Sequence, residues 1–272
     1  VTIAGTSALA AEAPPHLPRR AASLVGGRVP GFLLVAALLC LWELSARLGW
    51  VRSDNWPPFS RVLAEAGRGL GADLGPALWG TFYRMGASLL VGSLLGVAAG
   101  LLLGRYRWLD WAVRPLIEIQ RTLPAPALVP PLILVLGLGD ALKVTVVSLA
   151  VFAPVFVSTY AGVKGLDPTL ALTARTFGLG PWATLWKIVL PNTVPSIAAG
   201  IRTSLALALV VTVVSEMVTG VGGMGQYILT MEFAMRADTL YGAVIVLSGI
   251  GYAINRCFLM AERRVLHWHF RG

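Results

Sequence analysis

Asp167 to Pro195 reads DPTLALTARTFGLGPWATLWKIVLPNTVP, a polar, proline-punctuated island between two long apolar runs. Asp167 followed by Pro168 is a helix-start signal, since the carboxylate can accept from free backbone N–H groups and proline suits the first helical position. The pattern predicts a short helix from Thr169 to Phe177. Gly178, Leu179, Gly180 and Pro181 then supply a stop, a turn and a second start, and a second short helix from Trp182 is expected to end near Pro191. Two short helices about a glycine hinge, bordered by apolar spans, make a compact protrusion from a membrane face, shaped to dock into another body.

The rest of the chain explains why that island stands out. Apolar residues make up 56% of the 272 residues and charged residues 13%, about half the charged share of an ordinary soluble domain. This is the composition of an integral membrane protein, with room for about five to seven spans if each takes ~20 apolar residues. The net charge of +9 does not point to nucleic acid, because Lys and Arg collect beside apolar runs rather than in a stripe with interleaved aromatics. Cys40 and Cys257 both lie within apolar segments, and His267 and His269 stand in a basic tail with no HExxH, so neither a disulfide framework nor a metal site is indicated.

Working outward from the island gives an all-α chain of about six transmembrane helices with both termini cytoplasmic. Residues 1–30, rich in Ala, Pro and Gly with Arg19, Arg20 and Arg28, read as a cytoplasmic tail. A membrane domain is expected over 31–262, with the cytoplasmic loop at 164–194, and a basic tail over 263–272. The first span runs from Gly31 to about Gly49. An outside segment from Trp50 to Pro76 carries a short interfacial helix near Ser60–Leu70. The second span, about Leu78–Leu103, has Gly92, Gly96, Gly100 and Gly104 on one face, a smooth seam that favours close packing within the subunit. The third, about Leu109–Leu138, contains Pro124, Pro126, Pro130 and Pro131 and is expected to be broken. Irregular backbone is tolerated in membranes where protein buries it or a polar cavity adjoins it, which makes Pro124 a candidate for a translocation path. A fourth span over 141–163 leads into the island; a fifth ends near Val218, and GVGGMGQ at 220–226 connects it to a sixth over 239–260.

Ionisable groups within spans cost about 2.5–3.5 kcal/mol at a helix centre, so each is a functional candidate. Arg84, Arg121, Arg202, Glu43, Glu118 and Glu216 qualify; Gln120 beside Arg121 and Ser215 beside Glu216 join the candidate path, with Arg121 the best placed to meet an anion. The alternative for each is snorkelling to an interface or pairing across the subunit.

Ala174, Arg175, Gly178, Ile188, Leu190 and Pro191 stand in an order that resembles the cytoplasmic signature loop of binding-protein-dependent ABC-importer permeases, written Glu-Ala-Ala, Gly, then Ile-x-Leu-Pro. Trp42-Glu43-Leu44, Arg84, Pro124 to Gly139, Ser215-Glu216-Met217 and Asp238 are similar to the aliphatic sulfonate, taurine and nitrate branch of that family. The resemblance implies the type I importer permease fold, with a coupling helix formed by Thr173, Ala174, Arg175, Gly178, Ile188, Leu190 and Pro191 that fits a groove on a cytoplasmic ATPase. It implies two permease copies, two ATP-binding subunits and an extracytoplasmic solute-binding protein, with ATP and Mg held by the ATPase and no cofactor by this chain. One position departs: Leu172 stands where the family pattern has Glu, which leaves shape, apolar contact and Arg175 to make the dock. The implied cargo is a small solute, an organic or inorganic anion such as a sulfonate or taurine, with nitrate, bicarbonate or a vitamin precursor as alternatives. No G-x-x-x-x-G-K-[ST] loop occurs, so ATP hydrolysis is expected of a partner. A secondary transporter is the alternative of another class, weakened by the absence of evident inverted repeats and the scarcity of acids within the spans.

Overall fold

The computed structural model describes residues 28–51 and 53–266, and of Arg28, Val29, Arg107, Leu116, Gln120, Arg121 and Ala171 the backbone alone. The expected tail over 1–30 therefore lies almost wholly outside the described residues, as do His267 and His269. Contacts divide the chain at Arg52 into two units. The first contains helix α1 (Arg28–Arg47), whose apolar run fits the expected first span.

The second unit is built from α2 (Phe59–Leu70), α3 (Leu74–Arg105), α4 (Arg107–Thr122), α5 (Val129–Leu136), α6 (Asp140–Lys164), α7 (Pro168–Thr176), α8 (Pro181–Thr184), α9 (Leu190–Thr219), α10 (Met224–Phe233) and α11 (Ala237–Val265). Including α1, five helical runs among the described residues are long and apolar enough to cross a membrane. The third expected crossing, 109–138, is divided. α4 is amphipathic rather than apolar; a 3-10 turn at Ala125–Leu128 and α5 then complete an apolar stretch of only 125–136. Pro124, Pro126, Pro130 and Pro131 withhold backbone donors where one continuous helix would need them.

α3, α6 and α9 form the centre. The glycine seam of α3 faces α6: a Cβ at Gly92 would lie 2.6 Å from the Ser148 carbonyl oxygen, and one at Gly100 2.6 Å from Thr159 Cβ. The close approach is thus internal to the subunit, as the spacing suggested. Val147, Val151 and Val155, fully buried and four residues apart, place β-branched side chains along the facing side of α6. On its other side α6 meets α9, where a Cβ at Gly200 would stand 2.9 Å from Ser158 Cβ.

Pro191 does not end the second helix of the island. The run from Pro181 to Thr219 is continuous over 39 residues, passing through a π-turn at Leu185–Val189. The wider turn shifts the hydrogen-bond register ahead of a residue that has no N–H to give. Asn192 Nδ2 and Thr193 Oγ1 donate to the carbonyls of Ile188 and Val189, each at 2.7 Å. Side chains thereby reinforce the turn where proline weakens it.

Candidate functional site

Three regions collect the residues singled out from sequence. The first lies at the membrane face opposite α7. Glu216, near the end of α9, is fully buried. Its Oε1 accepts from Arg84 Nη1 of α3 at 3.0 Å, its Oε2 accepts from Thr81 Oγ1 at 2.8 Å, and the Gly225 N–H reaches Oε2 at 3.0 Å. Arg84 Nε donates to Asp140 Oδ1 at the start of α6, at 2.7 Å. Lys143, also fully buried, donates through Nζ to the Val221 carbonyl. Two cations and two carboxylates from three helices therefore balance.

The loop after α9 wraps this carboxylate because it is made of glycine. Gly220, Gly222 and Gly223 all have positive φ, with Gly223 at 95°. A Cβ at Gly223 would fall on the Glu216 carboxyl group, and one at Gly225 would lie 2.7 Å from Glu216 Cβ. The Met224 N–H, in the same loop, donates to Thr81 Oγ1 at 2.8 Å. Sequence reasoning found Arg84 and Glu216 but not Lys143 or Thr81. A lysine within the apolar run of α6 was the available signal.

Of the other path candidates, Ser215 is buried in α9, and its Oγ has no hydrogen-bond partner among the described residues. Arg202 pairs with Glu262 of α11 at 3.6 Å, and Glu118 with Arg114 at 3.1 Å. The side chains of Gln120 and Arg121 lie outside the described residues, and their backbone belongs to the last turns of α4.

The second region is a groove at the proline break. Leu123, Pro124 and Pro126 form one wall, Ala153, Pro154 and Ser158 of α6 another, and Thr203, Leu207 and Val210 of α9 the third, around a cavity of about 610 Å³. Among the described residues its lining carries no ionisable side chain. Pro124 is thus separate from Arg84 and Glu216.

The third region is the protrusion. Asp167 Oδ1 accepts from the Thr169 N–H at 2.8 Å, capping α7, and these hydrogen bonds hold the carboxyl below its usual pKa. At the other end, Gly178 at φ 62° closes α7: its N–H reaches the Arg175 carbonyl at 3.0 Å, and the Leu179 N–H reaches the Ala174 carbonyl at 2.9 Å. This pair of bonds is the Schellman cap, and it needs a residue at ease in the left-handed region. Ala174 is buried, whereas Leu172, Phe177, Trp182 and Trp186 are all more than half exposed. Trp182 and Trp186 meet edge to face at 5.7 Å between centroids. Thr173 and Arg175 are exposed on α7, and Ile188, Leu190 and Pro191 lie along the π-turn and the start of α9.

A helical membrane bundle with a proline-broken crossing and an exposed helical protrusion is the fold of ABC-importer permeases. The chain superimposes on a chain of the MetNI methionine ABC transporter, solved in inward-facing conformations, with a TM-score of 0.64 at 18% identity, over 71% of this chain and 95% of that one. It also matches a chain of a bacterial ABC transporter involved in import of the acidic polysaccharide alginate, with a TM-score of 0.63 at 15% identity, over 90% and 95%. Residues 92–266 match the family described as binding-protein-dependent transport system inner membrane component, and the chain belongs to that family. Among curated relatives, the aliphatic sulfonates transport permease protein SsuC of Bacillus subtilis is 28% identical over 95% of this chain and 97% of its own length. The taurine transport system permease protein TauC of Escherichia coli is 27% identical over 86% and 88%. The chain is therefore a multi-pass inner membrane protein and a permease subunit that does not itself catalyse ATP hydrolysis.

Proposed function

We propose that this chain forms the translocation path of an ATP-driven importer for a small sulfonate-type anion, of which taurine and alkanesulfonates are the representatives. The groove at the proline break carries the reading, because in this family member it joins irregular backbone, a cavity and the two central helices α6 and α9. The names of its relatives supply the substrate class. Among the described residues the lining offers the hydroxyls of Ser158 and Thr203 and no fixed charge, which suits a conduit: a site that must release its cargo gains nothing from holding it tightly. Selection of the anion falls to an extracytoplasmic binding protein, and two permease copies with two ATPase subunits complete the machine.

In this reading the membrane domain extends over 31–262, and the loop at 164–194 carries Thr173, Ala174, Arg175, Gly178, Ile188, Leu190 and Pro191 against the ATPase. Leu172, Phe177, Trp182 and Trp186 add an apolar surface to that contact. Reconstitution of the chain with its ATPase and binding protein in proteoliposomes tests the reading. ATP-dependent accumulation of labelled taurine or an alkanesulfonate is expected. Accumulation that proceeds without the ATPase, or that serves nitrate or bicarbonate and not a sulfonate, overturns it.

A further inference from the structure

α4 presents a face that no element of its own unit covers. Its inward side, with Leu109, Val113 and Ile117, packs against Leu103 and Phe156. Asp110 on the same side accepts from Tyr160 Oη at 2.7 Å and lies 3.8 Å from Lys164 Nζ. Those two partners belong to the last turn and a half of α6, the end that leads into α7, and α4 itself begins just after Arg105 closes α3. The start of α4 is therefore fixed at the level where two apolar spans leave the membrane. On the opposite side of the helix, Trp108 is 72% exposed, Trp111 88% and Ile119 60%.

α4 is amphipathic, unlike the apolar spans it joins, and an amphipathic helix at a span end suits the interfacial zone, where tryptophan is favoured.

Charge selects the occupant. The stretch 105–121 contains Arg105, Arg107, Arg114 and Arg121 against Asp110 and Glu118. Asp110 is taken up by Tyr160 and Lys164 and Glu118 by Arg114, and exposed Arg105 has no ion-pair partner among the described residues. A surface with that surplus repels a second copy of itself and fits an anionic one. We propose that the N-terminal half of α4 binds anionic phospholipid on the membrane face that carries α7, with Trp108 and Trp111 set among the headgroups and Arg105 facing their phosphates, whereas Arg114 is held by Glu118 and the Tyr160 ring. The proposal is independent of the transported solute and of any ATPase contact.

The test uses the purified full-length transporter in nanodiscs of phosphatidylcholine, supplemented with an equal mole fraction of either dibrominated phosphatidylglycerol or dibrominated phosphatidylcholine. The readout is the quenching attributable to Trp108 and Trp111, taken as wild type minus the Trp108→Phe/Trp111→Phe variant. One surface arginine enriches anionic lipid by up to about fivefold, so at least about twofold greater quenching by the brominated phosphatidylglycerol is expected. Arg105→Gln should bring the two lipids close to parity. Equal quenching of the wild type by both lipids overturns the proposal. So does an absence of quenching together with a disulfide between copies through Trp111→Cys in a Cys40→Ser/Cys257→Ser background, which would give this face to a second subunit. Both phenylalanine substitutions fall at exposed positions, and elution of the variant as wild type on size exclusion establishes that it folds.

Discussion

The charged cluster around Glu216 and the protrusion around Gly178 stand at opposite ends of the α6 and α9 runs, and they handle polarity in contrary ways. At Glu216, a buried carboxylate and the buried Lys143 are turned inward, Arg84 bridges Glu216 to the exposed Asp140, Lys143 is taken up by the Val221 carbonyl, and glycine backbone closes over the carboxylate. At Gly178, three aromatic side chains and a leucine are turned outward with nothing among the described residues to cover them. A buried charge is tolerated only with its partners in place, whereas an exposed apolar surface is tolerated only until a partner arrives. The first end is satisfied by its own chain, and the second leaves an apolar surface open of the kind the proposed ATPase contact would cover.

That contrast is open to breakage from either side. Arg84→Met leaves Glu216 buried with its charge unmatched and should cost about 3–5 kcal/mol, read as a fall in detergent melting temperature; the double variant Arg84→Met/Glu216→Met should recover much of it, and full additivity would refute the pairing. Gly223→Ala is next, since φ 95° alone carries about 1–3 kcal/mol of strain for a residue with a Cβ. Its signature is the same loss of melting temperature. Gly178→Val should strain the α7 cap by about 1–2 kcal/mol and, with the complex still assembled, lower uptake per ATP hydrolysed. Gly178→Asn, which tolerates the left-handed region, should retain more of the coupling. Unchanged uptake by an assembled Gly178→Val complex would remove the coupling role.

The smallest effect is expected at Asp167. Its folded pKa lies below the ordinary 3.8, so its contribution to the α7 cap is complete above that value and is lost as pH falls through the lower, folded one. Protection of the Thr169 amide against hydrogen exchange should be full and independent of pH around neutrality and fall only in that acid window. Asp167→Asn should abolish the acid dependence, since an amide caps without titrating.

The spans and the α2 helix were legible because hydropathy and turn residues are local. The division of the third crossing was legible too, from four prolines within 124–131. Two features were not. Pro191 suggested an end, but the π-turn before it depends on a hydrogen-bond register that side-chain identity does not encode. Arg84 and Glu216 were each visible as charges in apolar runs, yet their pairing joins residues 132 positions apart. Lys143 is a lone cation three residues from a helix start, a position that fits an interfacial anchor equally well, and only packing buries it completely. The division of the path candidates into a charged cluster and an apolar groove followed from the same cause: sequence places residues in a span, and tertiary contacts decide which face they occupy.

The unbroken run from Pro181 to Thr219 has a mechanical corollary. Its 39 residues extend for about 58 Å at ~1.5 Å per residue, from the aromatic pair at Trp182 and Trp186 to the carboxylate held by Arg84. Under the proposed coupling it would serve as a connecting rod with one irregular joint, the π-turn, close to its Trp182 end. A push delivered there beyond what that joint absorbs would travel along a shaft whose far end is tied to two other helices through Arg84. Those helices and the shaft then move together or not at all.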